Sequence, residues 1–252
     1  MIIGIDNGIS TTKIVGIEDE KIVTAKIISK KEIERELGSM PEKPDKIIFT
    51  GINSPESEKK IDEIKAIGKG ALFLAGKKKA IVISIGTGTC IVLAEGDHHK
   101  HMGGMSLGGG TLKGLSNLLI NETDVEKILS LAEKGNIEKV DLLVKDFDQG
   151  KIGLLEETSS VSHFGKMADM TADDKALGLV NMIGQAIATM SVFAAASVNT
   201  QDIVFVGRTA GIKMLQDIIR SRSGLLSDHN LIFPENCEFA AALGAALCGC
   251  ED

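Results

Sequence analysis

Apolar and polar residues alternate in short blocks at the start of the chain. An apolar run at residues 1–6 is followed by a polar turn, and a second apolar run at 13–18 returns from it. Blocks of this length between turn-forming residues are typical of β-strands. A short apolar run at 46–50 extends the predicted sheet. From Ile61 the apolar spacing becomes helical and stops at Gly76, which predicts a helix.

The same arrangement recurs further along the chain. After a continuous apolar run at 80–85, the chain turns through Gly-Thr-Gly-Thr and runs back as another strand. The hexapeptide IGIDNG at 3–8 aligns with ISIGTG at 83–88, and apolar return strands follow both. This weak internal repeat predicts two related lobes, residues 1–76 and 77–252, each of which presents a hairpin to a shared cleft.

The remainder of the chain mixes helical and strand patterns. The longest apolar stretch, 176–198, carries Asn181, Gln185 and Thr189 at four-residue intervals. This polar edge favours a buried amphipathic helix over a membrane span. We also expect a short helix over 137–147. Strands and helices that alternate after an initial meander indicate an α/β fold.

Two glycine-rich turns carry the main chemical signal. One is the turn at 86–89, and the other, at 108–110, leads directly into a helical pattern. Glycine lets the backbone approach an anion closely, and a helix N-terminus favours negative charge. A single cluster would indicate an ordinary turn, but two of them predict a phosphate cradle. Asp6 ends the first strand. An aspartate there is explained either by its preference for turns or by a role as an oxygen ligand for Mg²⁺. Neither turn fits the Walker or dinucleotide pattern.

Composition and charge narrow the range of partners. The 252 residues carry a formal net charge of −7, from 28 basic and 35 acidic residues, without a long basic stripe. This balance argues against nucleic acid or an anionic membrane as a partner. The chain starts directly on a strand pattern, without the segments of a secretory signal, so we expect a cytoplasmic protein. The four scattered cysteines complete no zinc set, and we expect reduced thiols.

Five short segments carry a family resemblance along nearly the whole chain. They are Ile61-Asp62-Glu63-Ile64, Ile85-Gly86-Thr87-Gly88-Thr89, Gly104-Met105-Ser106-Leu107-Gly108-Gly109-Gly110-Thr111, Ser162-His163-Phe164-Gly165-Lys166 and Glu235-Asn236-Cys237. The chain resembles type II pantothenate kinases, within the actin, sugar-kinase and heat-shock-chaperone ATPase superfamily. The resemblance implies two ribonuclease-H-like lobes around a nucleotide cleft. It also implies a homodimer that phosphorylates the 4′-hydroxyl of pantothenate with ATP and Mg²⁺, the committed step toward coenzyme A. Coenzyme A or acyl-CoA is then a candidate inhibitor.

The resemblance also implies roles for individual residues. Glu63 would be the base that accepts the proton of the pantothenate hydroxyl, and Asp6 would serve the magnesium. The residues expected to hold the nucleotide are Asp6, Gly8, Ser10, Thr11, Thr12, Lys13, Thr87, Gly109, Gly110, Thr111, Leu112 and Lys113. Cys90, Lys100 and His101 are expected at the acceptor substrate.

Three positions depart from the family pattern. Ile9 stands where a second glycine is usual, His101 where an arginine is usual, and Arg208 where a small hydroxyl residue is usual. An imidazole cannot reproduce a bidentate guanidinium clamp, so a kinase of another small alcohol, such as an amino sugar, stays open. A nucleotide-binding activator or regulatory ATPase is a third reading. Such activators often bridge an iron–sulfur cluster through cysteines near a helix start, a context that none of the four cysteines has.

Overall fold

The computed structural model describes residues 1–40, 43–55, 58–147, 151–153, 155–167 and 169–250. Within this part, the strands and helices in chain order are β1 (Ile2–Asn7), β2 (Thr12–Glu18), β3 (Lys21–Ile28), α1 (Ile33–Gly38), β4 (Lys46–Thr50), α2 (Glu63–Ala75), β5 (Lys79–Ile85), β6 (Thr89–Glu95), β7 (His98–Met105), α3 (Gly109–Ile120), α4 (Val125–Ala132), β8 (Leu142–Leu143), β9 (Lys151–Ile152), β10 (Leu155–Glu156), β11 (Ser160–Ser162), α5 (Ala172–Ser197), β12 (Asp202–Val206), α6 (Lys213–Leu226), β13 (Asn230–Ile232) and α7 (Ala240–Gly249).

Two sheets with related strand order form the framework. The first has the order β3-β2-β1-β4 and the second the order β13-β12-β5-β6-β7. In each sheet three successive strands form an antiparallel meander, and a later strand, β4 or β12, pairs in parallel with the first strand of that meander. The strands β1 and β5, which carry the repeated hexapeptide, therefore occupy equivalent positions. The duplicated α/β fold expected from the sequence is confirmed.

Helices α2 and α7 lie between the two sheets. α7 packs on β1, β2 and β4, whereas α2 contacts α7 and the strands of the second sheet. The buried side chains of Ile48, Ala66 and Ala245 form a small core where β4, α2 and α7 meet. The last helix of the chain thus returns to the first sheet.

Glycines allow α2 and α7 to approach each other at the level of the backbone. A Cβ built on Gly70 of α2 would lie 1.8 Å from the carbonyl oxygen of Ala240, and one built on Gly244 of α7 would lie 1.8 Å from that of Ala66. A Cβ on Gly4 of β1 would likewise meet an α7 carbonyl oxygen at 1.9 Å. No larger residue fits at these positions without moving a helix, so the contacts set the position of α2 between the sheets.

The other face of the second sheet is covered by α5, which packs against α6, α4 and α3. α5 has 26 residues and is, in the described part of the chain, the one helix that is long and apolar enough to cross a membrane by length and composition. However, 56% of its apolar window is buried inside the protein. This burial agrees with the core helix expected from the sequence.

The helix expected over 137–147 is not formed, and that prediction was wrong. The chain there makes two short 3-10 turns separated by β8, which pairs with β11. Asp141 is fully buried and accepts hydrogen bonds from Ser160 Oγ at 2.6 Å, His163 Nδ1 at 2.9 Å and Asn181 Nδ2 at 2.9 Å. Because a buried carboxylate needs such partners, distant hydrogen bonds override the local helical pattern.

Candidate active site

The first predicted hairpin carries a largely buried ion pair. Asp6 of β1 stands opposite Lys13 of β2, and Lys13 Nζ lies 2.7 Å from Asp6 Oδ2. The two side chains are only 8% and 15% exposed, respectively. A carboxylate can be buried here because the ammonium group compensates its charge and donates a hydrogen bond.

Two glycines keep the space in front of this ion pair open. A Cβ on Gly8 would lie 3.6 Å from Asp6 Oδ1 and 3.7 Å from Lys13 Nζ, and a Cβ on Gly51 would lie 2.9 Å from Asp6 Oδ1. Gly51 has a φ of +92°, which favours glycine. Asp6 Oδ2 binds Lys13. Asp6 Oδ1 faces space that a side chain at position 8 or 51 would fill.

This arrangement fits a magnesium ion that arrives with a nucleotide. Mg²⁺ is commonly held by one or two carboxylates together with water and phosphate oxygens. Asp6 Oδ1 could supply one such oxygen. No group of three or more His, Cys, Asp or Glu residues suited to a metal occurs within the described residues.

Backbone pairing brings Glu63 to the same edge of the first sheet. The N–H of Ile61 donates to the carbonyl of Phe49 in β4 at 2.8 Å, so the segment before α2 lies beside β4 and runs parallel to it. α2 begins two residues later, at Glu63. Thr50, the next residue of β4, stands opposite Asp6 in β1. The start of α2 is therefore delivered to the end of β1.

Electrostatic effects link Glu63 to both lobes. The Glu63 side chain reaches solvent, yet the protein around it partly desolvates the carboxyl group, and this raises its pKa. The charge of Asp6 raises this pKa further, while Lys13 acts in the opposite direction. Burial, followed by the nearby charge of Glu63, raises the pKa of the Cys90 thiol to about 11. Cys90 lies on β6 of the second sheet, so Glu63 faces residues of both sheets.

The two hairpins meet directly. Ser10 Oγ and Thr87 Oγ1 lie 3.1 Å apart, although 77 positions separate the residues in the chain. Both residues are exposed, so their hydroxyls are available to phosphate oxygens. Thr11 is half-buried, and Thr12 is fully buried with its hydroxyl donating to Asn7 Oδ1 at 3.1 Å. Thr12 therefore supports the turn from inside.

We call the space bounded by five of these residues the inter-lobe site. They are Asp6, Ser10, Lys13, Glu63 and Thr87. The site combines a reachable carboxylate oxygen, a cation, two hydroxyls and a second carboxylate whose affinity for a proton is increased. These groups are suited to hold a polyphosphate beside a group that accepts a proton.

The glycine cluster at the start of α3 binds the second hairpin. The N–H of Gly109 donates to the carbonyl of Gly86 at 2.8 Å, and the N–H of Gly110 donates to the carbonyl of Thr87 at 2.9 Å. These are two of the amides that a helix N-terminus leaves without intrahelical partners. In this structure they hold the hairpin in place.

The next residues of α3 have different surroundings. Thr111 Oγ1 donates to the carbonyl of Ser106 at 2.8 Å. The side chain of Leu112 is buried in the core, so only its backbone can contact a ligand, whereas Lys113 is exposed. Of the three predicted nucleotide-binding side chains here, Lys113 is thus the one that extends into solvent.

The two residues predicted to replace the family arginine, Lys100 and His101, lie on opposite faces of β7. His101 stands opposite Val92 of β6, and Lys100 stands opposite Leu93. Successive side chains of a strand point to opposite faces, so Cys90 and Val92 share one face of β6. His101 lies on that face with Cys90, and Lys100 lies on the other. The structure therefore brings His101, but not Lys100, to the face that carries Cys90.

The other two departures from the family pattern lie at the hairpins. Ile9 is 65% exposed at the tip of the first hairpin and does not adopt a positive φ, so this turn forms without glycine at that position. Arg208 is exposed and begins a short turn after β12. The following residue, Thr209, donates its hydroxyl to the carbonyl of Gly86 at 3.2 Å, so the turn supports the second hairpin.

Asn53 is a site residue that the sequence did not reveal. Its backbone N–H donates to the carbonyl of Asn7 at 3.2 Å, and its Nδ2 donates to the carbonyl of Gly8 at 2.9 Å. Its own carbonyl accepts a hydrogen bond from Asn7 Nδ2 at 2.7 Å. Asn53 thus holds the turn after β1 from the loop after β4. Its residue type indicated only a loop, because the partners lie 45 and 46 positions away.

Solved structures share this fold. An activator of the 2-hydroxyisocaproyl-CoA dehydratase from Clostridium difficile with bound ADPNP has a TM-score of 0.66, covers 98% of this chain and 93% of its own, and is 19% identical. A ROK family glucokinase from Streptomyces griseus in complex with glucose and AMPPNP has a TM-score of 0.61, coverage of 100% and 99%, and 13% identity. The protein therefore has the two-lobed fold of actin-like ATPases and sugar kinases.

Sequence similarity identifies the family within this class. A type II pantothenate kinase from Oceanobacillus iheyensis is 31% identical over 197 residues, which are 74% of this chain and 73% of the relative. Another from Bacillus cereus is 26% identical over 266 aligned positions, which cover 97% of this chain and 96% of the relative. The profile of the Fumble family matches residues 77–247. The chain belongs to the Fumble family of type II pantothenate kinases.

Proposed function

We propose that this protein transfers the terminal phosphoryl group of ATP to the 4′-hydroxyl of pantothenate, the first step of coenzyme A biosynthesis. The observation that carries the proposal is the convergence of Asp6, Lys13, Glu63 and the Ser10–Thr87 contact at the inter-lobe site of a Fumble family member. Phosphoryl transfer depends mainly on positioning and on charge stabilisation, which is what these groups provide.

Glu63 acts as the base. Its carboxylate accepts a hydrogen bond from the pantothenate hydroxyl and takes the proton as the new P–O bond forms. The raised pKa of Glu63 makes the carboxylate a better proton acceptor than an ordinary exposed glutamate. Its place at the start of α2, a helix held by backbone contacts, fixes the direction from which the hydroxyl approaches.

Residues of the two hairpins hold the phosphates. The hydroxyls of Ser10 and Thr87 donate to phosphate oxygens, and Lys13 contributes positive charge beside them. Asp6 Oδ1 would hold the magnesium ion, which neutralises phosphate charge when it is bound. Gly8 leaves room for the phosphate chain because it has no side chain. The amides at the start of α3 keep the second hairpin in place.

Cys90 and His101 contact the acceptor. Both side chains lie on the same face of the strand pair β6–β7, the face on which Cys90 is close to Glu63. The raised pKa of Cys90 keeps its thiol protonated at neutral pH. A neutral thiol can donate weakly to a polar substrate group, and His101 can donate to the carboxylate of pantothenate. Lys100, on the opposite face, receives no role in the reaction.

An ADP-release assay with three conditions tests the function: pantothenate, N-acetylglucosamine, or no acceptor. We expect turnover with pantothenate alone. Turnover with the sugar would support the amino-sugar kinase reading that His101 leaves open. Acceptor-independent turnover would support an activator or regulatory ATPase.

Glu63→Gln tests the base. We expect the acceptor-dependent kcat to fall by about 10²–10⁴-fold, the usual contribution of general base catalysis, while the affinity for an ATP analogue changes little. Glu34→Gln is the matched control because Glu34 is also a helix first-turn glutamate, exposed on α1. Full activity of Glu63→Gln would remove the base assignment.

The proposal extends to assembly, regulation and location. We infer a cytoplasmic homodimer, in which the exposed apolar residues Leu118 and Leu119 of α3 and Met190 and Phe193 of α5 support an interface between copies. Light scattering of the purified protein tests the dimer. The two lobes divide between residues 76 and 77. Coenzyme A or acyl-CoA is a candidate inhibitor and is added to the ADP-release assay to test this.

A further inference from the structure

His99 is a half-buried histidine that the proposed mechanism does not use. It stands on β7 opposite Ala94 of β6. Its ring packs on the backbone of α2: a Cβ on Gly68 would lie 2.7 Å from His99 Cδ2, 3.0 Å from Cγ and 3.3 Å from the Cβ of Ala94. Gly68 lies five positions after Glu63, roughly 7.5 Å along the helix axis. The imidazole therefore fills the contact between α2 and β7, one and a half turns from the base.

The ring nitrogens of His99 are unsatisfied. Nδ1 and Nε2 are both buried and have no hydrogen-bond partner within the described residues. A neutral imidazole carries one donor and one acceptor, and burying either one without a partner lowers stability. An apolar side chain of similar size would fill the same space without this loss. Packing alone therefore does not explain a histidine here.

The charges near His99 disfavour its protonated form. Burial is the main cause that lowers the pKa of His99. Lys65 and Lys69 of α2 and the neighbouring His98 lower it further, while Asp97 opposes them. A proton on the ring would place another positive charge beside two lysines of the helix that it supports.

The elements packed against the ring offer little compensation for that charge. Asp97 is engaged in part by Lys69, whose Nζ lies 3.7 Å from Asp97 Oδ1. Glu95, the residue of β6 after the one opposite His99, points to the other face of the sheet, where its Oε2 lies 3.2 Å from Lys79 Nζ. A protonated His99 would thus lack a dedicated counter-ion among the described residues.

We propose that His99 is a positioning residue for Glu63: its neutral imidazole holds α2 against β7, and protonation weakens this contact and displaces the start of α2 from the inter-lobe site. This inference rests on the proposed role of Glu63. In the pH profile of kcat, one fall toward acid pH, the acid limb, then comes from protonation of His99. A second fall comes from protonation of the base Glu63 itself.

The sign of the pH effect follows from the lowered pKa of His99. In the unfolded chain a histidine binds its proton near pH 6.5, whereas the folded protein resists protonation to lower pH. Stability therefore does not depend on this group above about pH 6.5 and falls as the pH drops below it. The contact between α2 and β7 should weaken over the same range.

His99→Phe tests the proposal, because phenylalanine fills similar space without ring nitrogens. His98→Phe is the matched control, since His98 is the exposed neighbour on the same strand. Thermal unfolding and hydrogen exchange of the α2 amides are followed between pH 5 and 7.5. We expect the wild type and His98→Phe to lose Tm and α2 protection below about pH 6.5, and His99→Phe to lose less of both.

kcat measured over the same pH range completes the test. The wild type should show a steeper acid limb than His99→Phe, and the KM for ATP should keep the same pH dependence in both. If His99→Phe misfolds, His99→Met, with a more adaptable apolar side chain, replaces it in every measurement. An unchanged pH dependence of Tm, exchange and kcat in the variant that folds would overturn the proposal.

Unfolding and hydrogen exchange require no substrate, so they separate this inference from the proposed function. If α2 responds to His99 but no acceptor is phosphorylated, the kinase assignment fails while the link between His99 and α2 stands. If pantothenate is phosphorylated but α2 does not respond to His99, only the positioning role fails.

Discussion

Replacing Gly244 of α7 with alanine tests how α7 holds α2 in place. The new Cβ would lie 1.8 Å from the carbonyl oxygen of Ala66, well inside the 3.0 Å that real Cβ atoms keep from their neighbours. The next nearest atoms are the carbonyl carbon of Ala66 at 2.7 Å and the nitrogen of Gly70 at 2.9 Å. Since all of these are backbone atoms of α2, no side chain can rotate away and the two helices must separate.

The magnitude follows from two opposing effects. Overpacking typically costs about 1–3 kcal/mol, and a backbone obstacle places Gly244→Ala at the upper end, about 3 kcal/mol. Alanine stabilises a helix by about 1 kcal/mol relative to glycine, which leaves a net loss of about 2 kcal/mol. In a chain of this size 1 kcal/mol corresponds to about 2–4 °C, so Tm should fall by about 4–8 °C.

Differential scanning calorimetry measures this change, with Gly224→Ala as the matched control. Gly224 also lies in a helix, α6, but no atom approaches its Cβ position within 4 Å, so alanine should raise stability by up to about 1 kcal/mol. We also expect kcat to fall in Gly244→Ala alone, because α2 carries Glu63. If Gly244→Ala were as stable as Gly224→Ala, the close contact between α2 and α7 would be refuted.

Two further predictions concern individual charges. Glu63→Gln removes a charge that raises the pKa of Cys90, so iodoacetamide should alkylate Cys90 faster at pH 8.5, as measured by peptide mass spectrometry; an unchanged rate would place the two residues apart. Burial would raise the pKa of Asp141, but hydrogen bonds, led by those from His163 and Ser160, lower it. Asp141 therefore stabilises the fold above about pH 4 and loses this effect below it. Asp141→Ala should cost about 3 kcal/mol or more in urea unfolding at pH 7, because several buried or half-buried donors lose their acceptor, and its stability should depend less on pH near 4.

Those parts of the inter-lobe site that are close in the chain could be predicted from the sequence. Asp6 and Lys13 flank one short turn, and strand pairing across that turn places them opposite each other. Glu63 could be named only through the family resemblance. Its approach to Asp6 depends on the parallel pairing of β1 with β4 and on the parallel pairing of the segment before α2 with β4, and neither has a local signal.

Other site features required the structure because long-range hydrogen bonds determine them. The glycine-rich sequence predicts that the amides of Gly109 and Gly110 donate to an anion. In the structure they donate to carbonyls of the second hairpin. Lys100 and His101 are adjacent in sequence, but only the register of β7 against β6 shows which of them shares a face with Cys90.

The sequence by itself determined β1, β2, β4, β5 and β6, the two hairpin turns and the buried helix α5, because hydrophobic periodicity and glycine placement act over a few residues. The tertiary structure alone decided the irregular path over 137–147, where the buried carboxylate of Asp141 gains more from distant donors than a local helix offers. It also decided which hairpin atoms meet, as Ser10 and Thr87 do across 77 positions. Such contacts form only when whole sheets pack, and packing depends on burial summed over the entire chain rather than on any segment of it.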